Sequence, residues 1–319
     1  MALLPNPNPP TVEAIFAAYE SDNGDGFRPH LGASLIGKEC ERALWLDFRW
    51  AGRSRFGGRM LRLFETGQQE EIRLIRNLRR IGVTVLDVDP QTGRQWRVQA
   101  CGGHFGGSLD AAAIGVIEAP KTWHVCEFKT HNAASFSELR KEGVQKSKPQ
   151  HFAQMQIYMH LTGMTRALYL AVNKDTDDLY TERVHADEAE ALKLLAKAGR
   201  IINAAYPPVR ISNDPDWYQC RMCHHHPLCH EAQAAERNCR TCLHATPTDA
   251  GLWSCGPIER LLTIGEQKAG CTAHLYIPDL VPGEQVDADI NGGWVEYRLR
   301  DGSLWRDGCS TVESNGGQQ

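Results

Sequence analysis

The chain has 319 residues, 42% of them hydrophobic and 23% charged, with a formal net charge of -4 and 11 cysteines. That length suits one large domain or two modest ones, and the composition supports a real core. No apolar run reaches the length of a bilayer span, and residues 1–10 lack the apolar centre of a secretory signal. A cytosolic protein is expected, in which so many cysteines point to metal or cluster ligation rather than disulfides.

Charge is distributed unevenly. Residues 28–80 hold twelve lysines and arginines against six acids, whereas residues 272–319 hold eight acids against three arginines. Arg49, Arg53, Arg55, Arg59 and Arg62 follow one another with no acid between them. Such a basic front can face nucleic acid even in an acidic chain. The plainer reading is a solvated helix face.

Residues 1–10 read as disordered, 12–20 as a short helix and 21–29 as a Gly/Asp/Asn loop. Ser34 can cap a helix that carries Cys40 and Arg42. Residues 62–81 read as an amphipathic helix with Leu74, Ile75, Leu78 and Ile81 on one face. Glu71 falls on that face, and a carboxylate there needs a partner. Glu70 is the competing acid, nearer the solvent edge. Strands are expected at 83–88, 95–101 and 104–117, the last with Asp110 in its middle. Residues 123–130 form the next strand, where Val125, Phe128 and Thr130 suit a half-buried surface.

Glu127 and Lys129 are two apart on that strand and project from one face. An acid and a lysine on an interior strand are costly unless something pairs them, and a metal ion and a phosphate would do so. Residues 132–148, a loop or short helix, carry Lys141, Lys146 and Lys148 as candidate phosphate contacts. The helix at 150–161 sets Gln154 and Tyr158 one turn apart. Strands at 166–172 and 179–184 flank a turn, and a helix at 186–205 stops at Pro207-Pro208.

Two cysteine sets follow. The first is Cys220-x2-Cys223-x5-Cys229, with Cys40 far upstream. His224, His225, His226 and His230 lie among them, and the three-histidine run reads as local polar surface. The second is Cys239-x2-Cys242-x12-Cys255-x15-Cys271, with His244 and His274 in reserve. One CxxC knuckle with two later cysteines has the form of a small metal-stapled module, and zinc is expected there, with a second cluster as the alternative. Cys101, Cys126 and Cys309 remain, and Cys126, beside Glu127, reads as core.

Ser108-Leu109-Asp110 followed by Glu127-x-Lys129 resembles the PD-(D/E)XK nuclease superfamily. Gly67-Gln-Gln-Glu-Glu71 resembles the acid-bearing helix of lambda exonuclease, YqaJ-type recombinases and RecB-like enzymes. Gln154 and Tyr158 resemble the Q-x-x-x-Y motif of RecB-like nucleases, in the family's order. Cys40, Cys220, Cys223 and Cys229 resemble the iron–sulfur staple of AddB and the CRISPR-associated RecB-like exonucleases.

The resemblance implies an α/β fold: a restriction-endonuclease-like mixed sheet flanked by helices, with a small metal-stapled C-terminal domain behind it. The expected division is a flexible segment 1–30, a nuclease domain 31–235 with the iron–sulfur staple, and a small four-cysteine metal-binding domain 236–319. It implies a metal-dependent DNA nuclease, exonucleolytic before endonucleolytic, serving recombination, repair or phage DNA processing. Asp110, Glu127 and the carbonyl of Phe128 would hold Mg²⁺ or Mn²⁺, with Glu71 completing the site. Lys129 would orient or deprotonate water, and Gln154, beside Tyr158, would position phosphate or lysine. The first cysteine set would carry a [4Fe–4S] cluster, with zinc as rival. DNA is the expected partner, with a recombination or replication protein on the C-terminal domain and no membrane. The alternative is a non-catalytic DNA-binding or assembly adaptor on the same scaffold. Oligomeric state stays open.

Overall fold

The computed structural model describes residues 9–24 and 26–308. The expectations for residues 1–8 and for Cys309 lie outside them, and Pro10 already opens the first helix.

In chain order come α1 (Pro10–Asp22), β1 (Leu31–Gly32), α2 (Glu41–Phe48) and the long α3 (Gly58–Arg80). Then follow β2 (Thr84–Leu86), β3 (Arg97–Ala100), β4 (Phe105–Ser108), β5 (Ala111–Ile114) and β6 (His124–His131). Helices α4 (Ala133–Ser147) and α5 (Pro149–Thr162), strands β7 (Arg166–Asn173) and β8 (Leu179–His185), and α6 (Glu188–Asn203) come next. Short helices α7 (Tyr218–Arg221) and α8 (His226–His230) carry the first cysteine loop. The remainder holds β9 (Ala245–Pro247), β10 (Trp253–Cys255), β11 (Arg260–Leu262), α9 (Ile264–Ala269), β12 (Gly283–Asp289), β13 (Trp294–Leu299) and β14 (Leu304–Gly308).

The main sheet runs β2-β5-β6-β7-β8. Its β6–β7 pair is parallel and the others are antiparallel. Alternation along the strands gives the sheet two apolar faces. Cys126, Phe128, Leu168 and Leu170 pack with Leu74, Ile75 and Leu78 of α3. Val125, Tyr169 and Ala171 share the larger core with Ala153, Ile157 and Tyr158 of α5. This is a mixed sheet flanked by helices, as expected, with smaller sheets β9–β11 and β12–β14 behind it. No described helix is long and apolar enough to cross a membrane.

The expected strand 104–117 is two strands. β4 belongs to a small sheet, β1-β4-β3, and β5 to the main one. The chain turns from one to the other at Leu109-Asp110, where the Asp110 carboxylate accepts the Phe128 N–H at 2.8 Å. That bond replaces a ladder contact and puts Asp110 at the mouth of β5. Residues 133–147 are a helix rather than a loop, capped by Asn132 and kinked at Gly143, whose φ of 73° suits glycine. Ser34 caps nothing: it lies in a 3-10 turn, and Cys40 is the residue before α2.

The larger core continues from Leu44, Trp45 and Phe48 of α2 into Cys239, Trp253 and Ile277. Two arginines, Arg49 and Arg240, bolt this seam. Arg49, expected in the basic front, is only 4% exposed. It donates to the carbonyls of Arg240, Ala245 and Ala204 and lies against Trp45 and Trp253. Burial pulls its pKa down to about 10. Its guanidinium is thus turned inward, away from the basic front. Arg53 is engaged as well, with Glu236 at 3.3 Å and the Phe27 ring. Arg55, Arg59 and Arg62 stay exposed.

Candidate active site

β6 supplies the centre. Glu127 is 0% exposed, and one of its oxygens lies against the Lys129 ammonium. Its Oε2 has no hydrogen-bond partner. The Lys129 Nζ is 3.8 Å from Asp110 and donates to the Phe128 carbonyl at 3.0 Å. The three residues expected together are together, across the β5–β6 pair. Burial pushes the Glu127 carboxyl up to about 7, against the pull of Lys129. Burial works the other way on Lys129, but Glu127 and Asp110 outweigh it and hold the ammonium above its ordinary range. A lysine held charged in this way is set to orient phosphate or water.

Glu71 and Glu70 part company on α3. Glu70 faces Arg73 at 3.4 Å, and Arg73 grips Asp177 at 2.6 Å. Glu71 is half-buried; burial, then Asp110, push its carboxyl up to about 7, while Lys129 pulls it down. Glu71 is therefore the acid in the field of the Asp110–Lys129 pair. Seven and eleven residues earlier on the same helical stripe, Phe64 and Met60 are exposed, and Phe56 meets Phe64 edge-on at 5.0 Å.

α5 closes the other side. Gln154 and Tyr158 are buried, with the amide nitrogen 3.4 Å from the Tyr158 hydroxyl. Burial and the charge of Glu127 raise the Tyr158 phenol. Gly107 faces that ring so closely that a Cβ there would collide with it. The candidate lysines are largely spent on neighbours: Lys148 on Glu138 at 2.7 Å, and Lys141 and Lys146 on Glu142.

A second polar group went unread in the sequence. Tyr169 pairs in register with Glu127, and its hydroxyl meets His131 Nε2 at 2.8 Å and His151 Nδ1 at 2.9 Å. Burial, helped by Lys148 and Lys129, lowers His131 to about 4. Burial, then Lys129, lowers His151 to about 3. Both are neutral. Period two from Lys129 reaches His131, and three back from Gln154 reaches His151, so the signal was available.

No known family profile and no curated protein matches the chain. Among solved structures it is similar to an alkaline exonuclease (LHK-Exo) from Laribacter hongkongensis, at 18% identity over 59% of this chain and 90% of that one, with a TM-score of 0.39. LHK-Exo in complex with dAMP gives 0.41 over the same shares. A third likeness, to SSO0001, has 14% identity over 69% of this chain and 96% of that one, with a TM-score of 0.42.

Cys40, Cys220, Cys223 and Cys229 line one cavity of about 570 Å³. Burial raises the Cys220 and Cys223 thiols, and nearby cysteines add to the rise. In the histidine run beside them, His224 is exposed as expected but His225 is not. His225 is fully buried, and His224 and His225 meet the same oxygen of Asp47 at 2.8 and 2.9 Å, with Lys38 at 3.5 Å on the other. Burial pushes the Asp47 carboxyl up, yet the bonds from His224 and His225 hold it far below its ordinary range. These contacts tie the cysteine loop to α2.

Cys239, Cys242, Cys255 and Cys271 line a second cavity, about 230 Å³, with His244 and His274. Burial, and then the other three cysteines, push Cys239 up to about 11. Among the described residues, Asp47, His224 and His225 form the one group of three or more such ligand atoms within 4.8 Å of one another. No three thiols of either cysteine set therefore lie within 4.8 Å of one another.

Proposed function

We propose that the protein is a divalent-metal-dependent DNA nuclease of the PD-(D/E)XK kind. The observation that carries this is the buried Glu127 carboxylate, which keeps an oxygen without a partner between Asp110, Glu71 and a charged Lys129. An orphan buried oxygen costs free energy that a ligand would recover. Asp110, Glu127 and the Phe128 carbonyl would hold Mg²⁺ or Mn²⁺, with Glu71 beside them. Bound there, the ion supplies a more acidic water and a counter-charge for the phosphate. Lys129 holds the scissile phosphate or the attacking water through its ammonium. Gln154, backed by Tyr158, keeps that ammonium and the phosphate in place. The exposed Phe64 and Met60 extend the Glu71 stripe outward, and exposed Arg55, Arg59 and Arg62 give it charge for a DNA strand. The exonucleolytic reading rests on the Gly67–Glu71 motif, in which Gly67 passes close to Thr130 at the end of β6.

The first cysteine set suits a [4Fe–4S] cluster, which is larger than a single ion and fits four thiolates around one cavity. It would join residue 40 to residues 220–229 and remove unfolded-state entropy. The second set would take zinc after closing inward.

End-labelled linear and closed circular DNA with Mg²⁺ or Mn²⁺ tests the activity. Cleavage of the linear form alone, lost in Asp110→Ala, is the expected result. Metal-dependent cleavage that survives Asp110→Ala would remove the assignment, and binding without cleavage would return the adaptor. Anaerobic protein is expected to be brown, and Cys220→Ala to bleach it and lower its melting temperature. Colourless protein with zinc and no iron would overturn the cluster.

A further inference from the structure

Behind the first cysteine loop, a cleft of about 430 Å³ opens between α2, the stretch after α6 and the β12–β13 hairpin. Four arginines line it: Arg42, Arg210, Arg298 and Arg300. The acids on its rim are Asp279 and Glu284, so cations outnumber anions. Some surface arginines pair with carboxylates, as Arg73, Arg79, Arg200, Arg260 and Arg306 do; the four that gather in this cleft do not. Among the described residues the guanidinium groups of Arg210, Arg298 and Arg300 have no ion pair and no hydrogen bond. Glu284 is in register with Arg298 on the neighbouring strand, yet makes no salt bridge to it.

The fourth arginine adds an independent sign. Arg42 gives one terminal nitrogen to the Pro208 carbonyl at 3.1 Å, but its Nε is buried with no partner. Its guanidinium thus keeps hydrogen-bonding capacity that no protein acceptor uses, on a residue that lines the cationic cleft. Guanidinium forks match the oxygens of phosphate, as of carboxylate, two at a time. The lining of the cleft also includes Leu46, Leu228, Leu280 and Leu299. It suits the sugar and base of a nucleotide unit rather than a bare, fully hydrated ion.

We propose that this cleft binds the phosphate backbone of a single DNA strand at a second site, apart from the Asp110–Glu127–Lys129 centre. The source of the phosphate rests on the DNA reading above; the anion site itself does not. It gives the C-terminal hairpin a task, because Arg298 and Arg300 come from β13 and the residue after it. It also gives the cysteine loop one, because Cys229 and Leu228 form part of the wall.

The test uses the full-length protein and a fluorescent single-stranded oligodeoxynucleotide in EDTA, so that binding is read without cleavage. Each phosphate contact on a single strand contributes about 0.7 to the log–log salt slope. Changing Arg210, Arg298 and Arg300 together to Gln is expected to flatten the slope by about two, with kcat at saturating linear DNA kept. An unchanged slope in a variant with the wild-type circular dichroism overturns the proposal. If the triple variant folds poorly, Arg210→Gln alone, outside any strand, is expected to lower the slope by about 0.7, and no change there overturns it equally. Pyrophosphate separates the sources. It is expected to compete with the oligonucleotide only weakly; binding as tight as the oligonucleotide's, lost in the triple variant, would make this a small-anion site and overturn the strand. A wild type that cleaves no DNA would sink the nuclease reading, whereas the slope comparison would still decide this one.

Discussion

Arg240 and Glu127 are both ionisable, both 0% exposed, and differ in what surrounds them. Arg240 donates to the Phe48 carbonyl at 3.1 Å, the Pro29 carbonyl at 2.9 Å and the Gln267 side chain at 2.9 Å, and its guanidinium lies 3.7 Å from the centre of the Trp50 ring. Each of its three nitrogens has an acceptor. Glu127 has one lysine and an oxygen facing nothing. A satisfied buried charge fixes a structure; an unsatisfied one signals a ligand. Arg240, in the seam between α2 and the C-terminal part, is of the first kind, and Glu127, in the β5–β6 site, is of the second.

The contrast breaks most visibly in activity. Glu127→Gln is expected to cut metal-dependent cleavage by at least ~1000-fold, since the members of such a site act as a unit. The same change removes a buried charge, so the melting temperature should hold or rise. A lower melting temperature with normal turnover per folded molecule would move Glu127 into the structural class. Arg240→Met should do the reverse. It orphans two buried carbonyls and an amide, and a loss of about 3–5 kcal/mol is expected in denaturant unfolding. Turnover per folded molecule should not change. An Arg240→Met protein of normal stability would show that the seam is held by its aromatic rings alone.

These two residues were not equally legible. Glu127 was readable because a short motif, E-x-K on a strand, carries its own geometry: period two puts both side chains on one face. Glu71 was readable from a helical stripe in the same way. Arg240 was invisible, because its partners are backbone carbonyls 192 and 211 positions away, and no local pattern encodes those. Arg49 was misread for the same reason: in sequence it continues an arginine run, whereas in space it faces Trp45 and Trp253. The break at Leu109-Asp110 escaped a pattern reading because residues 104–117 keep strand composition through the turn. The histidine run shows a limit of polarity as a guide, since His225 is buried by Asp47, a residue 178 positions away.

A smaller effect follows from the raised Glu127 carboxyl, about 7 against an ordinary 4.5. Between those values the folded protein holds a proton that the unfolded chain has released. Stability from this group is therefore lost as pH rises from about 5 toward 7 and stays lost above. Glu127→Gln has no such loss. The variant's advantage in melting temperature should thus widen from pH 5 to pH 8 in metal-free buffer. Mn²⁺ at pH 8 should narrow it by stabilising the wild type alone. A gap that does not move with pH would mean that Glu127 stays ionised and paired throughout, as satisfied as Arg240.

The smallest effect sharpens the contrast within one helix. Glu70 and Glu71 are neighbours about 100° apart around α3. Glu70 is answered by Arg73, itself held by Asp177, whereas burial and Asp110 push Glu71 up to about 7. Glu71→Gln keeps the shape and removes the charge. It should raise the Mn²⁺ concentration needed for half-maximal cleavage, with a turnover loss of about 10- to 100-fold, as for groups that support metal ligands. Glu70→Gln trades an exposed ion pair for a neutral contact, worth about 0–1 kcal/mol in stability, and should leave the metal requirement unchanged. If Glu71 were instead a plain structural carboxyl, its Gln variant would lose about 1–3 kcal/mol with the metal curve in place. Equal shifts of the metal curve for both variants, or a larger one for Glu70, would reverse the assignment. The carboxylate with a partner would then be the working one, and the rule drawn from Arg240 and Glu127 would fail in α3.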